Sequence, residues 1–219
     1  MRTKMSLIAA AAMALALMGF ASSAMAATDG VVRDVTNNEI IPLNHELHFV
    51  GWARFGSGSG GMKCHVTAIA KATVSNGTTG QVTNFSIPDT TKCTGDGGLA
   101  FCTLTGDQVT NLPYHLTATP TDFDVTGNIV IHNQFGGFCP LSEVTLEFSE
   151  ITLKPLNTTN KRAVTNTAGN LGNTAAAGEP IAGVELSGSG SSPQVGAITA
   201  EGELELTAPD RCTWKLASS

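Results

Sequence analysis

Cys64 and His65 stand side by side at the end of a Gly/Ser-rich run, in GSGSGGMKCHVTAIA over residues 56–70. A thiol and an imidazole are the parts of an activated nucleophile, but such a pair must come within hydrogen-bond reach. The segment that carries them alternates. Cys64, Val66, Ala68, Ala70, Ala72 and Val74 are apolar, while His65, Thr67, Lys71 and Thr73 are polar. A period of two is a β-strand, on which successive side chains leave opposite faces. Cys64 is therefore expected inside and His65 outside, and the two do not pair with each other. The glycine run carries no chemistry of its own. In GSGSG the central residue is Gly58, so the Gly-x-Ser-x-Gly register of a nucleophile elbow fails. No Gly-Lys-Ser/Thr follows to make a phosphate loop. The run reads as a flexible connection, and SGSGSS at 187–192 reads as a second.

Other reactive side chains are present in weaker patterns. His45 and His48 are spaced H-x-x-H, which puts them on opposite faces of a strand or on the same side of a helical turn. His65, His115 and His132 fall on outward faces, and no spacing rule gathers them around a metal. Asp122 with Asp124, and Glu203 with Glu205, share strand faces. Glycosidase chemistry needs two carboxylates facing each other across a cleft; neighbours on one exposed face serve to guard a sheet edge against aggregation. DGG at 96–98 lacks the spaced acidic ligands of a calcium loop. No catalytic residue, metal ligand or cofactor is assigned.

The elements that would position these residues are strands. Leu112, Tyr114, Leu116 and Ala118 alternate with polar neighbours, as do Phe123, Val125, Ile129 and Ile131. Val144, Leu146 and Phe148 form one face, and Ile151 with Leu153 a face shifted by one, which predicts a β-bulge at Ser149-Glu150. Leu204 and Leu206 alternate with glutamates. Cys212, Trp214 and Leu216 form a last inward face. Weaker strands lie near 46–55, 81–87, 99–105, 181–187 and 195–200. No window after the N-terminus has a helical apolar period. The fold class is all-β: an antiparallel β-sandwich or barrel-like domain, disulfide-stapled. Residues 155–180 are small and polar and read as a long loop. The strands after it return into the same domain, which spans 27–219.

The N-terminus, MRTKMSLIAAAAMALALMGFASSAMA, reads as a secretory signal peptide over 1–26, with Arg2 and Lys4 before a short apolar run and Ala24-Met25-Ala26 as the cleavage site. No second apolar run of about 18 residues follows, so no transmembrane span is expected after it. Removing Arg2 and Lys4 leaves ten basic residues against eighteen acidic ones, a net charge near −8. That balance disfavours nucleic acid and anionic lipid as partners. Export makes disulfides the natural fate of Cys64, Cys93, Cys102, Cys139 and Cys212. Five is odd, so at most two bridges form within one chain. Cys64–Cys212 would close the sheet, and Cys93–Cys102 would staple TGDGGLAF, leaving Cys139 over. Cys93–Cys139 and Cys102–Cys139 remain open.

GGMKCHVTAIAKATVSNG, TTKCTG, NLPYHLTATP, FDVTGNIVIH and FGGFCPL together resemble the small secreted bacterial proteins called activators of alkane oxidation, over about residues 62–155. Tyr114 stands where that pattern has Trp. The resemblance implies a place at the cell surface or outside it, the periplasm included, and a role with apolar substrates or biofilm; it carries over no catalytic residue. The expected function is a non-enzymatic exported protein that meets a surface partner, matrix or apolar ligand. The alternatives are a self-assembling envelope subunit, which admits a homo-oligomer, and a secreted hydrolase. Mass spectrometry of the exported protein should find a chain starting at Ala27; a chain starting at Met1 would contradict the export reading.

Overall fold

A computed structural model describes residues 29–157 and 173–219. The expected signal segment lies outside the described residues, as does the middle of the long polar segment, 158–172. The strands are β1 (Gly30–Asp34), β2 (Glu46–Ser57), β3 (Gly60–Ala72), β4 (Thr79–Ser86), β5 (Thr94–Gly97), β6 (Cys102–Thr110), β7 (Tyr114–Ala118), β8 (Phe123–Gly137), β9 (Glu143–Leu156), β10 (Gly183–Ser192), β11 (Gly196–Leu206) and β12 (Trp214–Ser218). One 3₁₀ turn, Thr90–Lys92, precedes β5.

Eight of these strands close an antiparallel barrel in the order β2-β11-β10-β9-β8-β7-β4-β3, with β3 pairing back onto β2. After the polar segment β10 pairs with β9, and β11 joins β10 to β2. Alternation fixes which side chains enter. Cys64, Val66, Ala68 and Ala72 of β3 are buried, as are Phe123, Val125, Ile129 and Ile131 of β8. A barrel of eight strands is just wide enough for side chains to fill it. Phe55 sits near its middle, with ring centroids 6.1 Å from Phe85 and 6.2 Å from Phe148.

The expected bulge is present. Ser149 and Glu150 of β9 face the single residue between Gly188 and Gly190 of β10, and the β8–β9 register shifts between Thr126 and Ile129. The two Gly/Ser runs are not flexible connections. Gly56 and Ser57 end β2, Gly58-Ser59 make a two-residue turn, and Gly60 already pairs with Ser57. SGSGSS at 187–192 is the second half of β10. Its small residues answer a steric need, since a Cβ on Gly190 would lie 2.2 Å from the Glu147 carbonyl oxygen and 2.6 Å from the Phe148 ring.

The two ends of the barrel differ. At one end β1 and β12 form a separate ribbon that buries Val32, Trp214 and Leu216 against the core. At the other lie the β2–β3 and β10–β11 hairpin turns, the β5–β6 connection and the β8–β9 connection.

The bridges are Cys64–Cys93 and Cys102–Cys139, with Cα separations of 4.1 and 4.6 Å. The expected Cys64–Cys212 and Cys93–Cys102 pairs do not form. Cys212 is not on the last strand; it lies in the turn before β12 with φ of 62° and is the free cysteine. That turn belongs to the ribbon end, away from the half of β3 that carries Cys64. Cys93 and Cys102 are parted because β5 lies along β3 and β6 along β8. Peptide mapping without reduction should return 64–93 and 102–139 cross-links and a free thiol at 212; a 64–212 cross-link would contradict this arrangement.

Candidate functional site

The site is built by a mismatch of strand lengths. β3 has 13 residues and β8 has 15, but along one edge of each the partner strands are shorter. Along one edge of β3, residues 67–72 pair with β4 and residues 60–63 with β5. Along one edge of β8, residues 123–126 pair with β7 and residues 130–137 with β6. β4 pairs with β7 and closes the wall in the half nearest the ribbon. Among the described pairings no ladder joins β5 to β6, so the other half has a seam.

Three devices cover the seam. The first is the pair of disulfides. Cys64–Cys93 ties the start of β5 to β3, and Cys102–Cys139 ties the start of β6 to the end of β8. The second is the β5–β6 connection, which satisfies its own backbone in tight turns: the Leu99 N–H donates to the Asp96 carbonyl at 2.9 Å and the Cys102 N–H to the Leu99 carbonyl at 3.0 Å. The third is Asp96. Its carboxylate accepts from Arg54 Nε at 2.7 Å, Arg54 Nη2 at 2.8 Å and the Gly61 N–H at 2.8 Å. This fork joins β5 to β2 and β3, with Glu201 of β11 3.5 Å from the same guanidinium. The Arg54 hydrogen bond, chiefly, holds the Asp96 carboxyl below its ordinary range, and the same bond raises Arg54.

Below this cover lies a cavity of ≈ 150 Å³, lined mainly by Phe55, Met62, Leu99, Phe135, Leu141 and Leu146. The polar side chains in its wall are Ser57 and Ser59, whose hydroxyls bond each other at 2.8 Å, and Asn133. Asn133 is 5% exposed, and its Oδ1 is buried without a hydrogen-bond partner. Outside, Phe101 is 80% exposed and Phe138 is 94% exposed. Each immediately precedes one cysteine of the same bridge, so the Cys102–Cys139 link holds the two rings' backbones side by side. A smaller cavity, ≈ 60 Å³, separates the barrel from the ribbon and is lined by core residues such as Val32, Phe49 and Trp214; it is a packing space between two layers.

The residues singled out in the sequence are scattered. Cys64 is inside and His65 outside, where His65 stacks edge-on against Trp52 at 5.6 Å. His48 lies 3.8 Å from Glu46, and His132 hydrogen-bonds Thr145 at 3.0 Å. No group of three or more His, Cys, Asp or Glu with metal-holding geometry occurs among the described residues. Asp122 lies in the turn before β8, where it bonds Thr121, while Asp124 meets Thr152 across the strand pair. Glu203 and Glu205 guard no edge, because β11 is paired on both sides; Glu205 meets Arg211 at 2.8 Å.

Two groupings escape a linear reading. His45 Nε2 and Trp214 Nε1 both meet Asp210 Oδ1, at 2.7 and 2.8 Å, although 165 residues separate His45 from Asp210. This buried carboxylate fastens the turn before β12 to the loop before β2. The other grouping is Phe101, Phe138 and Asn133. Its signals were present: two Phe-Cys dipeptides, and a polar residue in the inward series Ile129, Ile131, Asn133, Phe135.

No family model, curated protein or solved structure matches the chain.

Because the Asp96 carboxyl is lowered in the folded state, its contribution is present above the unfolded value near pH 4 and is lost as pH falls through the folded one. Asp96 is half exposed, so screening limits the fork to at most about 1 kcal/mol. Urea unfolding of Asp96→Asn should show that difference from wild type at neutral pH and a smaller one near pH 2; a difference that persists unchanged in acid would refute the role of the charge.

Proposed function

We propose that this protein is a non-enzymatic binding module of the extracytoplasmic space, secreted or held at the cell surface, which meets apolar material with the seamed end of its barrel. The observation that carries this reading is the exposure of Phe101 and Phe138 on one disulfide. A large aromatic ring held in water is costly unless something covers it, and burying each is worth about 1.5–3 kcal/mol. The bridge fixes both backbones in advance, which reduces the ordering cost of binding. Half-exposed Val195 lies at the β10–β11 turn on the same end and extends the patch. Two disulfides suit an oxidising compartment, and no helix among the described residues is long and apolar enough to cross a membrane. The resemblance to activators of alkane oxidation points the same way, toward apolar substrates met outside the cytoplasm.

The alternatives have less behind them. Within the barrel wall, polymerisation by strand pairing would have to use the unpaired edges of β5 and β6 at the seam. The paired carboxylates that a glycoside hydrolase would need lie on outer surfaces, not across a cleft.

The test is partition of the oxidised protein onto hexadecane droplets at physiological salt. Phe101→Ser/Phe138→Ser should lower partition at least tenfold, given the burial energy of two rings. Equal partition of the variant and wild type would overturn the assignment.

A further inference from the structure

We infer that the cavity behind the seam binds a small, neutral, apolar molecule carrying one hydroxyl group, of about the size of phenol. This rests on the reading of that end as an apolar-binding surface and adds a ligand class to it. Three observations converge. The volume, ≈ 150 Å³, is that of cavities that admit a benzene-sized guest. The lining holds no charged side chain, which disfavours a carboxylate or an ammonium ligand, because neither would find a counter-charge. And Asn133, 5% exposed and carrying a buried Oδ1 with no hydrogen-bond partner, stands in that lining, where the other polar side chains, Ser57 and Ser59, bond each other.

A buried amide oxygen without a partner is destabilising, so its presence calls for a donor. A hydroxyl supplies one. It also suits either orientation of the amide, since it donates to Oδ1 or accepts from Nδ2. A pure hydrocarbon would fill the volume but leave Oδ1 unmet. The flat ring or short chain would lie among Phe55, Met62 and Leu146, with its hydroxyl toward β8. Gly98 and Leu99 of the β5–β6 connection form part of the wall.

The experiment is calorimetric titration of the full oxidised chain with phenol and with benzene, for wild type and Asn133→Leu. Wild type should bind phenol about tenfold more tightly than benzene, the worth of one net hydrogen bond plus the unmet oxygen. Asn133→Leu keeps the branched shape, adds a little bulk and removes a buried polar group, so it should fold, still bind benzene within a few-fold of wild type and lose the preference for phenol. Leu141→Trp, placed in the half-buried β8–β9 connection, should fill the cavity and weaken both. Equal affinity of wild type for the two probes, or no binding of either, would overturn the inference; a preference for phenol that survives in Asn133→Leu would also overturn it, because the hydroxyl would then be read elsewhere. Phe101→Ser/Phe138→Ser should retain phenol binding. Loss of droplet partition with phenol binding intact thus separates the surface role from the cavity, and the reverse result separates the cavity from the surface role.

Discussion

The constraint on which the rest depends is an interrupted hydrogen-bond ladder. A barrel wall is continuous only if each strand finds a partner along its whole length. β3 and β8 are too long for β4 and β7, so the ladder closes around the half nearest the ribbon and stops between β5 and β6 in the other half. What the backbone does not close, covalent bonds and one charged fork do. Two disulfides, each worth roughly 2–4 kcal/mol against the unfolded chain, tie the short strands to the long ones. Asp96 gathers β2, β3 and β5 through Arg54 and the Gly61 N–H. The same interruption leaves room for a cavity, and it sets two phenylalanines at its border.

The opposite end shows what full closure looks like. There the β1–β12 ribbon packs Val32, Trp214 and Leu216 onto the barrel floor. The Asp210 carboxylate takes hydrogen bonds from His45 and Trp214, so this buried charge is met from two sides. A His–Asp pair of this length resembles the base and orienting acid of a triad. Here the second donor on the same oxygen is the Trp214 indole, and the pair works as a fastening between two loops. The molecule thus has a sealed end and a seamed end, and the features that suit binding lie at the seam.

Much of the wall was legible because its chemistry is local. Alternation in β3, β8, β9 and β11 gave strand positions, inward faces and the bulge at Ser149-Glu150, since a buried face imposes period two directly on the chain. Closure was not legible, because which strands neighbour one another is a long-range matter. For that reason Cys64–Cys212, expected from strand order, and Cys93–Cys102, expected from the short loop between them, do not form, while Cys102–Cys139, left open, does: Cys212 sits in a turn at the far end, and Cys93 and Cys102 fall on opposite sides of the seam. The Gly/Ser runs misled for another reason. Small residues often signal flexibility, but Gly190 is small because the Phe148 ring and the Glu147 carbonyl occupy the space of a side chain. Asn133 broke the apolar series of β8 in plain sight, yet its meaning required the cavity to be seen.

If the seamed end meets apolar material as proposed, its backbone amides should respond when such material is added. The most direct measurement is a map of backbone amide chemical-shift changes as hexadecane-loaded micelles are added to the isotope-labelled, oxidised protein. Changes should concentrate at 57–60, 97–102, 137–143 and 192–196, with Phe101 and Phe138 among the largest. Changes centred on the β1–β12 ribbon, or spread evenly over the wall, would contradict the proposal.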